Sequence, residues 1–268
     1  MIRSLAIEPT NKCSLHCPEC YARTSPRPQG FMDWNLFTKI VDEAQKIGVT
    51  RLGLNYAGEP TLHPQFSKMV DYVSGKGFRV GFATNGTVIT KEIIKSIVEG
   101  DVYSINFSVH SKPLYETIYN NIQSLKTKRK LKKPLIGVSL NYHGQSVEEL
   151  NAERKYWLNV ADGFRLIPTI VNMNWKHTPP NYRLVNNGPK YCLQPMTYLA
   201  ALWDGKATIC CRDIGQENAF GDLTKYTLTE TWNSNSHLTM LKHITSNTFP
   251  KGSLCSRCKL WNHFATPA

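Results

Sequence analysis

The stretch Cys13-Ser14-Leu15-His16-Cys17-Pro18-Glu19-Cys20 places three thiols at C-x3-C-x2-C spacing in one short loop. A loop this short can aim three sulfurs at a single centre. A cubane iron–sulfur cluster has four irons, so three cysteine ligands leave one iron without a protein thiolate. An open coordination position marks a reactive metal site, as it does in catalytic zinc sites. The spacing predicts the ligand set of a 4Fe–4S cluster whose fourth iron binds a small molecule. The competing reading is a zinc knuckle completed elsewhere, with His16 as a candidate ligand. Zinc motifs pair their thiols as C-x2-C with a second pair downstream, and x3-then-x2 fits that poorly.

The bulk of the chain agrees with a metal-binding globular protein. Its 268 residues suffice for a large core, and 41% apolar with 19% charged residues is an ordinary globular balance. No apolar run approaches the ~18–20 residues of a membrane span. The N-terminus, Met1 to Glu8, lacks a signal-peptide core and reads as a first strand, which points to the cytosol. The eight cysteines lie at 13, 17, 20, 192, 210, 211, 255 and 258. In a reducing compartment they suggest metal rather than disulfides, and their separation into two groups suggests two metal sites. Net charge is +12, and the run Lys126–Lys133 holds six of the basic residues. That run reads as a solvated helix end, where cations also suit the helix dipole, rather than as a nucleic-acid surface.

Periodicity divides the first two thirds into alternating elements. Strands are expected at 3–7, 51–55, 79–84, 103–109, 135–141 and 164–171, and helices at 33–44, 66–73, 91–98, 114–130 and 147–160. Six strands alternating with helices imply right-handed βαβ units and a parallel sheet. The loops at the strands' C-terminal ends begin near Pro9, Tyr56, Asn85, His110, Tyr142 and Asn172. The basic run precedes the fifth strand, so it belongs at the opposite end. Residues 172–191 show no period and carry Pro179-Pro180 and Asn187-Gly188-Pro189, which reads as a linker or a loop over the sheet. Beyond it, Tyr198–Trp203 and Lys206–Ile209 flank Asp204-Gly205, a hairpin signal that would return Cys210 toward Cys192. Helical stretches around 230–233 and 237–244 lead to Cys255-Ser256-Arg257-Cys258. Two pairs of thiols make a closed four-ligand site, and spacing alone does not separate zinc from iron–sulfur there.

The loop of Cys13, Cys17 and Cys20 resembles that of the radical S-adenosylmethionine (radical SAM) superfamily. The resemblance implies an α/β fold: a partial (β/α)6 TIM-like barrel with a small C-terminal α+β domain. It implies that the open iron chelates SAM, whose reductive cleavage yields a 5′-deoxyadenosyl radical. Ala57-Gly58-Glu59-Pro60 is similar to the family's GGEP motif beside the SAM amino group, with Ala57 in place of the first glycine. Thr84-Asn85-Gly86 is similar to its Thr-Asn-Gly segment. Ser108 and Asn141, ending strands four and five, sit where family members place SAM contacts. His110 and His143 are candidate substrate contacts. The family often has an aromatic residue before the third cysteine, near the adenine; here that position is Glu19, and Tyr21 is the neighbouring aromatic.

Cys192-x12-Gly205-x4-Cys210, Gly221-Asp222-Leu223, Glu230-Thr231-Trp232-Asn233 and the late C-x2-C resemble the SPASM/twitch subgroup. This implies an auxiliary 4Fe–4S cluster on Cys192, Cys210, Cys255 and Cys258. A full SPASM domain holds two such clusters. Only ten residues follow Cys258, which suits the one-cluster twitch form. The expected organisation is a barrel over 1–175, a linker over 176–191 and a twitch domain over 192–268. Cys211 is left spare, either as a hydrogen-atom donor or as packing. The function implied is a two-electron oxidation of a sugar-like or other small polar metabolite, fed by an external one-electron reductant such as flavodoxin or ferredoxin. The alternatives are peptide modification, redox-neutral epimerisation, and a non-catalytic zinc- and nucleic-acid-binding protein.

Overall fold

Apolar strand segments alternate with amphipathic helices along most of the chain, and a computed structural model describes residues 1–130, 132–171, 174–179 and 192–258. The first half runs β1 (Ser4–Ile7), α1 (Trp34–Lys46), β2 (Arg51–Gly53), α2 (Phe66–Val73), β3 (Arg79–Thr84), α3 (Lys91–Glu99) and β4 (Val102–Val109). It continues with α4 (Tyr115–Lys128), β5 (Leu135–Tyr142), α5 (Val147–Leu158) and β6 (Gly163–Val171). The remainder is β7 (Asn174–His177), α6 (Gln194–Thr197), β8 (Tyr198–Ala201), β9 (Lys206–Thr208), β10 (Gly221–Asp222), α7 (Leu228–Trp232), α8 (Asn235–Ser246) and α9 (Leu254–Arg257).

Local chemistry explains the elements. Asp33 caps α1 by accepting from the backbone N–H of Asn35 and Leu36, and the helix buries Phe37, Ile40, Val41 and Ala44 at helical spacing. Ser146 and Glu149 form a capping box on α5. β1 to β6 pair consecutively and in parallel, as βαβ crossovers require. Their loops at one end therefore converge, and chemistry in β/α barrels gathers there.

Two features differ from the sequence expectation. β7 pairs antiparallel with β6 and crosses the expected boundary at 175. Its sequence, Asn174-Trp175-Lys176-His177, has no apolar alternation, because an edge strand is held by backbone bonds rather than by a buried face. The hairpin of β8 and β9 does not stand apart either. β8 pairs in parallel with β1, and β9 and β10 extend the same ten-stranded sheet. One continuous core reaches from Phe37 and Leu52 to Leu199, Ile209, Leu223 and Ile244. Residues 180–191 of the expected linker lie outside the described residues.

The basic run starts in the last turn of α4 and continues toward β5, away from the strands' C-terminal ends. Arg129 Nη2 sits 2.8 Å from Asp162 Oδ1, and Lys133 Nζ lies 3.6 Å from Asp101. Among the described residues no helix is long and apolar enough to cross a membrane.

Candidate active site

The C-terminal ends of the barrel strands open into a cavity of about 660 Å3, within the size range of small-molecule sites. Cys13, Cys17 and Cys20 form one wall. Gly58, Glu59, Thr84 and Asn85 form the next, and Ser108, His110, Asn141 and His143 follow at the ends of β4 and β5. Cys211 and Arg212 reach in from the loop after β9. Exposed His16 is not part of the wall. Pro60 starts a short 3-10 turn, is buried behind Glu59 and does not line the cavity. The side chain of Tyr21 lies outside the described residues.

Three contacts hold the cysteine loop against the strand ends. Gly58 has φ of +71°, and a Cβ there would sit 2.5 Å from the carbonyl oxygen of Lys12 and 2.6 Å from the carbonyl carbon of Asn11. The adjacent Glu59 N–H donates to Lys12 O at 2.7 Å. Asn85 Nδ2 donates to Ser14 Oγ at 3.0 Å and lies 3.7 Å from Cys13 Sγ. Left-handed backbone pressed on a neighbouring chain requires glycine. Gly58→Ala is therefore expected to push the loop away and to cut iron per chain from about eight toward about four, read by iron analysis after anaerobic reconstitution.

Glu59 is buried and tightly engaged. Its Oε1 accepts from Thr61 N at 3.2 Å, Thr61 Oγ1 at 2.7 Å and Thr84 Oγ1 at 2.7 Å. Its Oε2 accepts from Asn85 N at 2.6 Å. Burial raises its carboxyl above the ordinary range, against these hydrogen bonds. Oε1 is thus committed to shaping the wall, and Oε2 keeps capacity for one more donor.

The donor chemistry fits a metal cluster at both ends of the chain. Leu15 N–H points at Cys13 Sγ from 3.4 Å. Burial pushes the Cys13 and Cys17 thiols up, and the neighbouring thiols add to it. Thiols gathered where they cannot ionise alone become ligands once a cation is present, with release of their protons. The second group behaves alike. Burial and then Cys255, Cys258 and Cys211 push Cys192 up to about 12; burial and then Cys258 push Cys255 up to about 11. Arg212 N–H donates to Cys210 Sγ at 3.4 Å and Asn218 Nδ2 to Cys255 Sγ at 3.6 Å. Buried Asp213 orders that loop by accepting from Thr208 Oγ1, Glu217 N and Asn218 N at 2.7, 2.8 and 2.9 Å. The adjacent thiols lie against each other: Cys210 packs with Leu254, while Cys211 lines the cavity.

Several site residues escaped the sequence reading. Glu8 and Arg27 form a buried ion pair, and Glu8 Oε2 also accepts from Trp203 N at 3.1 Å. Glu19 pairs with Lys176 and approaches His143. Only a charged residue closing an apolar strand hinted at Glu8. The partners of Glu19 and Arg27 are distant in sequence and left no local signal.

Comparison with known proteins agrees with this geometry. The radical SAM superfamily profile matches residues 7–149, and the SPASM iron–sulfur cluster-binding domain matches residues 192–259. The tungsten-containing aldehyde ferredoxin oxidoreductase cofactor-modifying protein of Pyrococcus furiosus is 26% identical, over 95% of this chain and 87% of the relative. The fold is similar to BtrN in complex with AdoMet and 2-DOIA, with a TM-score of 0.65 and 16% identity over 96% of this chain and 93% of BtrN. It is also similar to Streptococcus suis SuiB bound to S-adenosylmethionine, with a TM-score of 0.74 and 14% identity over 96% of this chain and 71% of SuiB. The superfamily match covers more than half of the chain and includes the three-cysteine loop that walls the cavity, so this protein belongs to the radical SAM superfamily and carries a SPASM-type iron–sulfur segment.

Proposed function

We propose that the protein is a radical SAM dehydrogenase that oxidises a secondary alcohol of a sugar-like or other small polar metabolite to a ketone. The observation that carries this reading is the Cys210-Cys211 step. Cys210 packs beside Leu254 with Cys258, and the next thiol lines the cavity, which would put an electron acceptor beside the substrate. On this reading Cys13, Cys17 and Cys20 hold the SAM cluster, and Cys192, Cys210, Cys255 and Cys258 hold the auxiliary one. When bound, the first cluster and SAM supply a 5′-deoxyadenosyl radical that takes a carbon-bound hydrogen. The chain's own part is to orient and shield. Glu59 and Asn85 set the cofactor wall, and Ser108 and Asn141 present polar groups at the strand ends. The similarity to BtrN, crystallised with AdoMet and 2-DOIA, supports a small polar substrate. The first electron would come from a small carrier such as flavodoxin or ferredoxin, and the setting would be the cytosol.

The test is anaerobic incubation with SAM, dithionite and a panel of polyols, aminocyclitols and polar ring compounds of cofactor size. One ketone per 5′-deoxyadenosine is expected. 5′-Deoxyadenosine without any oxidised product would overturn the reading. Cys211 on the cavity wall favours a second reading, epimerisation by return of a hydrogen atom from this thiol. Turnover in D2O separates the two: deuterium in the product, lost in Cys211→Ala, would establish epimerisation, whereas unchanged turnover with no deuterium would remove it.

A further inference from the structure

A dehydrogenation releases the hydroxyl proton as well as the carbon-bound hydrogen, so this inference rests on the reading above. The cavity wall offers a group built to take that proton. Thr169, on β6, is 3% exposed and donates its hydroxyl hydrogen to the carbonyl of Tyr142 at 2.6 Å. A hydroxyl has one hydrogen. Toward His143 Nδ1, 3.4 Å away, Thr169 Oγ1 can therefore only accept. The carboxylate of Glu19 is the second neighbour of Nδ1, with Oε2 at 3.0 Å. This oxygen makes no hydrogen bond, so the contact is electrostatic. Glu19 is itself tethered by Lys176 of β7. Neither neighbour of Nδ1 has a hydrogen to donate to it, so Nδ1 carries the ring proton and Nε2 carries the lone pair. Nε2 has no protein partner among the described residues, and His143 lines the cavity.

We propose that His143 is the cavity's proton acceptor, with Thr169 and Glu19 as the positioning residues that fix its tautomer. The substrate O–H bond breaks, its electron pair stays on oxygen, and a new N–H bond forms at Nε2. The resulting imidazolium is stabilised by the Glu19 carboxylate, the role a carboxylate plays behind a catalytic histidine. With its side chain 44% exposed, His143 then passes the proton to water. The carbon-bound hydrogen goes to the 5′-deoxyadenosyl radical and the remaining electron to an oxidised iron–sulfur cluster, which completes the two-electron balance. The other charged and titratable groups facing His143 are Lys176 and His177 of β7, the latter with ring centroids 6.3 Å apart, and His110 of β4. His110 also lines the cavity, but its ring is fixed by no such pair of acceptors among the described residues.

Two measurements test this. The first is a long-range 1H–15N correlation spectrum of the oxidised, reconstituted enzyme labelled with 15N-histidine, assigned through His143→Gln. A protonated Nδ1 with a bare Nε2 is expected at His143, and the reverse tautomer overturns the proposal. The second uses an alcohol that the wild type oxidises. His143→Gln is expected to lower ketone formation by about 100-fold while 5′-deoxyadenosine formation stays within about threefold. Glu19→Gln is expected to lower kcat by about tenfold with KM unchanged. Equal loss of ketone and 5′-deoxyadenosine in His143→Gln would place His143 in cofactor binding and sink its role as base. If the wild type oxidises no alcohol in the panel, the dehydrogenase reading fails, and the tautomer still decides the assignment of His143.

Discussion

Replacing Cys13, Cys17 and Cys20 together by alanine is expected to lower iron from about eight to about four per chain and to end 5′-deoxyadenosine formation. The three thiols form one wall of the cavity, and the other thiol that lines it, Cys211, enters from the loop after β9, so no other thiol of their own loop can substitute for them. Removing Cys192, Cys210, Cys255 and Cys258 instead should also release about four irons while leaving SAM cleavage in place. The contrast follows from the arrangement of the thiols. In the second group Cys210 and Cys258 pack on Leu254, and none of its four thiols lines the cavity. Iron, sulfide and zinc analysis after anaerobic reconstitution checks both. Four irons and one zinc in the wild type would keep the SAM chemistry but remove the electron acceptor, and with it the proposed dehydrogenation.

The loop of Cys13, Cys17 and Cys20 stands out in the sequence because its spacing is local. Much of the barrel was legible for the same reason. α2 over Phe66–Val73 and β3 over Arg79–Thr84 have the expected bounds. Each carries a clear apolar period, and Gly75 and Gly77 stand between them at positive φ. Asp33 caps α1 at the start of the expected helix. What the sequence concealed was pairing at long range. β8 joins β1 through backbone pairing between residues 194 positions apart, as Ser4 with Tyr198, and backbone bonds leave no mark on side-chain identity. The same holds for charge. Glu19 stands where relatives often have an aromatic residue, and its meaning appears only when the end of β5 and β7 bring His143 and Lys176 near it. Cys210 and Cys211 read as one motif and their thiols lie against each other in the turn after β9, yet Cys210 packs on Leu254 while Cys211 lines the cavity.

Replacing Arg27 by methionine is expected to be the most damaging single change outside the cysteines, and to be more damaging at high pH than at low. Arg27 and Glu8 bury their side chains almost wholly, with 3% and 0% exposed. The pair joins three parts of the molecule. Arg27 follows the cysteine loop, Glu8 ends β1 and accepts from Trp203 N, and Arg27 Nη1 reaches the carbonyl of Ile214 at 3.4 Å. Gly30 adds a close fit, since a Cβ there would lie 2.3 Å from the Trp203 ring. Breaking one partner of a buried pair costs about 3–5 kcal/mol, because the other charge stays buried and alone. For a chain of this size that is a fall in Tm of about 10 °C. Glu8 is already raised above the ordinary carboxyl range, chiefly by burial and against the pull of Arg27. Without Arg27 its folded-state value rises further. The folded chain then holds a proton that the unfolded chain has lost, so stability falls as pH climbs from the ordinary carboxylate range toward that raised value. Thermal melts of Arg27→Met should therefore approach those of the wild type near pH 5 and diverge near pH 8. Pairing it with Glu8→Gln should remove the pH dependence and restore part of the loss, since no buried charge remains. A melting deficit that is the same at both pH values would mean that packing around Arg27, rather than the charge it neutralises, ties the cysteine loop to the C-terminal hairpin.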